Sequence, residues 1–137
     1  MGSWDVGSFD NDTAADWSYG LENATDLSYV EETLDRVLAC GERDEVSADD
    51  GECAVAAAEV VARLRGHWGE ESAYSATADA WVRSRNAAPP ADLVRKAIAA
   101  VDRLSRAPSE LLELWDEGQD AEGWLDSIRD LKDRLTR

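Results

Sequence analysis

An all-α fold is the class this sequence predicts, and three observations predict it. Apolar residues recur at helical spacing along most of the chain. Capping residues, glycines and prolines punctuate that pattern where helices of ordinary length would start and stop. No segment alternates apolar and polar residues in the manner of a half-buried strand. At 137 residues the chain suits one domain, 1–137, and a chain of that size buries roughly two-thirds of its unfolded surface. The expected architecture is a compact bundle of about six to seven helices around one buried helix, preceded by an ordered leader.

The leader packs Gly2, Trp4, Gly7, Phe9 and Trp17 among four aspartates. Flexible leaders are poor in large aromatics, so Trp4 and Phe9 are expected to anchor this segment on the body. Asp10 or Asn11 can cap a first helix running to about Asn23, with Trp17 and Leu21 on one face. Ser28 followed by Glu31 has the spacing of a capping box and opens a second helix to about Cys40. Its apolar stripe is Val30, Leu34, Val37 and Leu38, and Gly41 suits the position after its end.

Asp49 with Glu52 repeats the capping-box spacing and opens a third helix, about 50–65. This helix is apolar nearly all round, rich in Ala and Val, and is therefore expected to be the central buried element. Residues 66–74 read as a loop, and a helix with Trp81 follows over about 75–86. Pro89 and Pro90 start a helix to about 106. It turns Leu93, Val94, Ala97, Ile98, Val101 and Leu104 inward, with Arg95, Lys96, Arg103 and Arg106 off that face. Pro108 at the first helical position begins a short helix through Trp115, ended by Gly118. Asp120 caps the last helix, with Trp124, Leu125, Ile128, Leu131 and Leu135 inward.

Three blocks of sequence carry a resemblance. The leader reads G-x-W-x-x-G-x-F-D-N-D-x-A-x-D-W from Gly2 to Trp17. The Ala-rich stretch runs from Asp49 to Ala62. The segment from Ser109 to Glu117 reads S-E-L-L-E-L-W-D-E. In this order they resemble a mostly bacterial family, the domain of unknown function 4259. Residues 66–90 lie outside the resemblance. It implies a shared fold and no particular activity.

The formal net charge is −16, and it is unevenly spread. Residues 1–60 carry −14, residues 61–107 carry +3 and residues 108–137 carry −5. Such a field repels nucleic acid and anionic lipid and attracts basic partners. It also keeps a small protein soluble, which is the plainer use of acidity. No apolar run approaches the ~20 residues of a membrane span. The first residues lack a secretory pattern, and Val6 stands where a myristoylation motif wants Ser or Thr. A cytoplasmic, membrane-free protein is expected. Arg outnumbers Lys twelve to two, a compositional association with GC-rich bacterial genomes. Cys40 and Cys53 flank an interhelical loop, and in this compartment free thiols are the expected state. No metal site is expected, because His67 is the single histidine and has no Cys-x-x-Cys or second His beside it. No cofactor fingerprint or nucleophile elbow is present either.

Three candidates for catalysis can be weighed. Asp16, with Asp10 and Asp12, lacks the ligand spacing of a calcium loop; caps and first-turn acids are the default use of such residues. Glu59 sits between Ala58 and Val60, where an unpartnered carboxyl would have a raised pKa and act as a general acid. Arg63, one turn on, offers the alternative of an ion pair. His67, near Trp68, Glu70 and Glu71, lacks a recognisable nucleophile. Enzymatic activity is the less favoured reading. The favoured one is an acidic binding or inhibitory protein, of the immunity, antitoxin or nucleic-acid-mimic type, that engages a basic protein. The alternatives are a small carboxylate-dependent enzyme and an acidic structural or oligomeric domain. The expected contact residues are Trp4, Glu31, Glu32, Asp35, Asp44, Glu45, Asp49 and Asp50, because a negative field steers encounter and an exposed aromatic anchors it.

Overall fold

A computed structural model describes residues 7–85, 87–118 and 120–137. Trp4 therefore lies outside the described residues, both as an anchor of the leader and as a contact residue. Seven helices are present among the described residues: α1 (Asp12–Glu22), α2 (Ser28–Leu38), α3 (Ala48–Leu64), α4 (Ala76–Arg85), α5 (Ala91–Leu104), α6 (Glu110–Glu117) and α7 (Ala121–Thr136). There is no sheet among them; Val46 and Ser109 form one isolated parallel bridge. The all-α expectation holds.

Helix α3 packs against each of the other six helices. Its residues from Ala54 to Arg63 are buried without interruption, as an all-round apolar pattern requires. Small side chains allow the close approach. A Cβ added at Gly51 would lie 3.2 Å from methyls of both Leu104 and Leu111, so α5 and α6 pass close to that backbone. The core around α3 takes Leu34 and Val37 from α2, Val101 and Leu104 from α5, and Leu131 and Leu135 from α7, all fully buried. Phe9 is buried too, so this part of the leader does fold onto the body.

The helix starts differ from the sequence reading in instructive ways. At α1 one of the two expected residues holds: Asn11 is the cap, its side chain accepting from Ala14 N at 2.7 Å. The Ser28–Glu31 capping box does not form. Leu27 stands at the cap position, while Asp26 Oδ1 accepts from both the amide and the hydroxyl of Ser28. The Asp49–Glu52 box is likewise replaced. Ser47 caps α3 two residues earlier, accepting from Asp50 N. Glu110 Oε1 accepts from Ala48 N at 2.7 Å, from the other end of the sequence. Ser109, not Pro108, sets the start of α6 by accepting from Leu112 N. Asp120 caps α7 as expected. In each failed case a second Ser or Asp with competing reach stood within two residues of the expected cap.

On α5, Leu93, Ala97, Val101 and Leu104 are buried, whereas Val94 and Ile98 are only partly so. Arg103 is the clear correction: it is buried, not outward. Its guanidinium donates to the carbonyls of Asp44, Gly41 and Arg106, tying down the loop between α2 and α3. Cys40 and Cys53 are free thiols. Burial pushes the Cys53 thiol up to about 11, with Asp50 adding to the effect, so the reactive thiolate is scarce at neutral pH.

Candidate functional site

The densest chemistry lies where α3, α4 and α7 meet the leader and the loop after α3. Glu59 and Arg63, one turn apart on α3, are both 3% exposed. Arg63 Nε donates to Glu59 Oε2 at 3.1 Å. Arg134 arrives from α7 and grips the same carboxylate with both terminal nitrogens, at 2.5 and 2.9 Å. The Ser8 hydroxyl adds a fourth hydrogen bond at 3.0 Å. Arg63 continues to Asp79 Oδ1 of α4 at 2.5 Å and to the carbonyl of Glu70. Ser75, ahead of α4, donates to the other oxygen of Asp79. Arg134 also holds Asp130, one turn back on its own helix, and the carbonyl of His67.

Aromatic faces complete the packing of the cations. The Arg63 guanidinium lies 5.5 Å from the Phe9 ring and 5.1 Å from Trp68, and Arg83 covers Trp68 at 4.7 Å. Gly69 lets the loop pass: a Cβ there would come within 2.9 Å of the Arg134 guanidinium. Over this cluster opens a cleft of about 210 Å³, reaching from Gly7 to Asp10 on one side to Ser127 and Asp130 on the other.

The cluster decides the state of Glu59. Burial pushes its carboxyl up, but hydrogen bonding and charge from Arg134, then Arg63 and Ser8, outweigh burial and hold it below the ordinary carboxylate value. Glu59 is therefore an ionised member of a network and not a general acid waiting with a proton. Arg63 supplies the ion-pair partner that the spacing allowed. His67 is half-buried, and its Nδ1–H donates to the Arg134 carbonyl at 2.8 Å. Arg134, not Trp68, Glu70 or Glu71, orients the ring. Asp16 is exposed on α1 and is not among the residues lining the cleft. The three catalytic candidates are thus not assembled into one site.

The expected contact residues divide into two sets. Glu31 and Asp35 on α2 share Lys96 of α5, at 3.2 and 2.9 Å, and are partly neutralised. Glu32 is exposed beside them. Asp44, Glu45 and Asp49 are exposed and Asp50 is half-buried. The Val46–Ser109 bridge brings this loop against α6: Val46 N donates to the Pro108 carbonyl and Glu110 N to the Val46 carbonyl. Glu45 thereby meets Glu113. Repulsion by Glu45 comes first among the causes that hold Glu113 above the ordinary glutamate value, followed by partial desolvation and a side-chain hydrogen bond with Glu45, with Glu117 and Glu110 adding to it. Among the described residues no ion pair involves Glu45, Glu110, Glu113 or Glu117. Sequence reasoning missed Glu110, Glu113 and Glu117. Their spacing of three and four puts them on one helical face, which was the available signal.

No helix among the described residues is long and apolar enough to cross a membrane, and none of their His, Cys, Asp or Glu side chains group as metal ligands. No curated protein and no solved structure matches the chain. A family model described as a domain of unknown function (DUF4259) matches residues 2–127, and the chain belongs to that family. Glu59, Arg63 and Asp79 fall inside the matched span, and Arg134 beyond it.

Proposed function

We propose that this chain is an acidic binding protein of the immunity, antitoxin or nucleic-acid-mimic type, acting on a basic protein partner. The observation that carries the reading is the crowding of Glu113 by Glu45, Glu110 and Glu117 with no cation among their ion-pair partners. Some acidity here serves the fold, because first-turn acids favour the N-termini of α3 and α6. Glu45 precedes α3 and Glu117 ends α6, so that explanation does not extend to them. Like charges held together destabilise a free surface and are relieved by an incoming Lys or Arg. The contact surface centres on Asp44, Glu45, Asp49, Glu113 and Glu117. Glu31 and Asp35 rank lower, because Lys96 already serves them.

Nucleic acid and anionic lipid are poor partners for a chain of net charge −16. A bacterial cytoplasmic setting fits the two free thiols. The test is capture of a basic partner from lysate of the source organism on immobilised protein, eluted with rising salt. Screening beyond about 8 Å at physiological ionic strength should release it early. The pair Glu45→Gln and Glu113→Gln should abolish capture, while Glu31→Gln with Asp35→Asn should leave most of it. Capture indifferent to salt and to both pairs would reject electrostatic recognition.

A further inference from the structure

Glu45 crowds Glu113 from a loop that has little reason of its own to be ordered. Residues 41–45 are all exposed, so they bury no apolar side chain that would offset the entropy of fixing them. Yet a buried cation holds this loop. Arg103 of α5 is 3% exposed. One of its terminal nitrogens donates to the carbonyl of Asp44 at 2.7 Å and to that of Gly41 at 3.5 Å; the other donates to the carbonyl of Arg106 at 3.2 Å. Among the described residues no ion pair neutralises it, and its Nε has no hydrogen-bond partner. A buried guanidinium so incompletely matched is a poor device for stability alone. We propose that Arg103 is the positioning residue of the acidic face, fixing Glu45 against α6 before a partner arrives, a role that rests on the reading of that face as a contact surface.

Glu45 is held from both sides. On its C-terminal side Val46 N donates to the Pro108 carbonyl and Glu110 N to the Val46 carbonyl. On its N-terminal side the Asp44 carbonyl is the neighbouring anchor. Arg103 is its strong donor, and the Cys40 thiol adds a weak contact at 3.5 Å. Through Arg106 the same guanidinium also grips the segment that leads into α6. One planar fork therefore spans the loop after α2 and the turn after α5. A lysine ammonium is a point donor on a flexible stem and does not reproduce that span. Charges fixed in place beforehand bind without the ordering cost that a loose loop would pay.

The test is Arg103→Lys in the full chain. The net charge is unchanged, so a difference reports geometry. The first readout is the titration of the Glu113 side chain, followed by NMR of its carboxyl carbon. In the native chain Glu113 should titrate above the ordinary glutamate range, and in Arg103→Lys its midpoint should fall toward that of Glu45→Gln. The second readout is binding of hexalysine at low salt, followed by the amides of residues 42–46 and 110–117. Arg103→Lys should bind it several-fold more weakly. Arg65→Lys, which alters a guanidinium that ties down carbonyls at the end of α7, should change neither readout. An unmoved Glu113 midpoint in Arg103→Lys would overturn the proposal, and so would equal affinity for hexalysine. If that variant does not fold, Arg103→Gln is read in the same way. It removes a cation, which by charge alone would push Glu113 further up, so a fall again reports geometry. The Glu113 titration needs no partner. A native chain that ignores hexalysine would count against the contact-surface reading, and the Glu113 midpoint would still decide the role of Arg103.

Discussion

Two glutamates on neighbouring helices, Glu59 of α3 and Glu113 of α6, are displaced in opposite directions from the same ordinary value of 4.5. Glu59 is buried, and burial alone would raise it; two guanidiniums and a hydroxyl reverse the sign. Glu113 stands at the surface, where water should leave it alone; another glutamate across the loop raises it. Solvent exposure therefore does not decide which carboxylate is comfortable in this protein. The charge of the nearest partner does. Glu59 is matched by cations, as are exterior carboxylates such as Glu31 and Asp35, whereas the glutamates around Glu113 have no ion pair among the described residues, and that is why recognition is sought at that face.

The sharpest way to break this comparison is to remove the matched charge. Glu59→Gln keeps the shape of the side chain but leaves Arg63 and Arg134 facing a neutral amide in the interior. Breaking a buried pair from one side costs about 3–5 kcal/mol, so the urea midpoint should fall far below that of the native chain. A loss under about 1 kcal/mol would mean that Asp79 and Asp130 suffice to hold the two cations. The pH dependence has a defined sign. The folded value of Glu59 lies below 4.5, so its stabilisation is complete above 4.5 and is lost as pH falls through the folded value. The gap between native and variant should close over that acidic range in urea titrations.

Arg134→Lys tests geometry at constant charge. Lysine cannot reproduce the two-pronged grip on Glu59 or the further bond to Asp130. A loss of about 2 kcal/mol is expected, read from the same denaturation. Gly69→Ala asks how rigid the cluster is. The new methyl would meet the Arg134 guanidinium at 2.9 Å. A free arginine would swing aside, but this one is pinned by Glu59. The expected cost is about 1 kcal/mol, and it should vanish in the Glu59→Gln background, where the pin is loosened. Equal cost in both backgrounds would place the strain in the loop and not in the cluster.

The bundle and its central helix were legible because a near-continuous apolar run has one stable home, the middle of a helical fold. Helix starts were less so. At Ser28 and at Asp49 the spacing rule found a plausible cap, while Asp26 and Ser47 held the better geometry, a difference of backbone position that spacing does not encode. The Glu59–Arg63 pair was legible because its two residues are one helical turn apart. Arg134 was not: seventy-five residues separate it from Glu59, and only the packing of α7 on α3 brings them together. Arg103 was misread for a related reason. Its position on α5 faces a loop whose carbonyls needed donors, and the helical pattern of α5 holds no trace of that loop. The meeting of Glu45 with Glu113 depends likewise on the Val46–Ser109 bridge between distant segments.

The smallest effect is the most telling about recognition. Glu113→Gln removes an unmatched charge from an exposed position, so it should stabilise the free protein slightly instead of weakening it. The sign follows from the raised folded value. The stability linked to Glu113 is present below 4.5 and is lost as pH rises through the folded value, so at neutral pH the native residue is a burden. The gain of Glu113→Gln should appear at neutral pH and low salt, shrink as the solution is acidified below the ordinary glutamate range, and disappear at high salt because the repulsion is exposed to screening. Matched thermal melts at low and high salt would measure it. A variant that is less stable than the native chain at low salt would show that Glu113 holds a favourable contact, and the case for an unmet demand on that face would lose its footing. A variant that is more stable but binds its partner less well would mark a residue kept at a cost to the free protein for the sake of the complex.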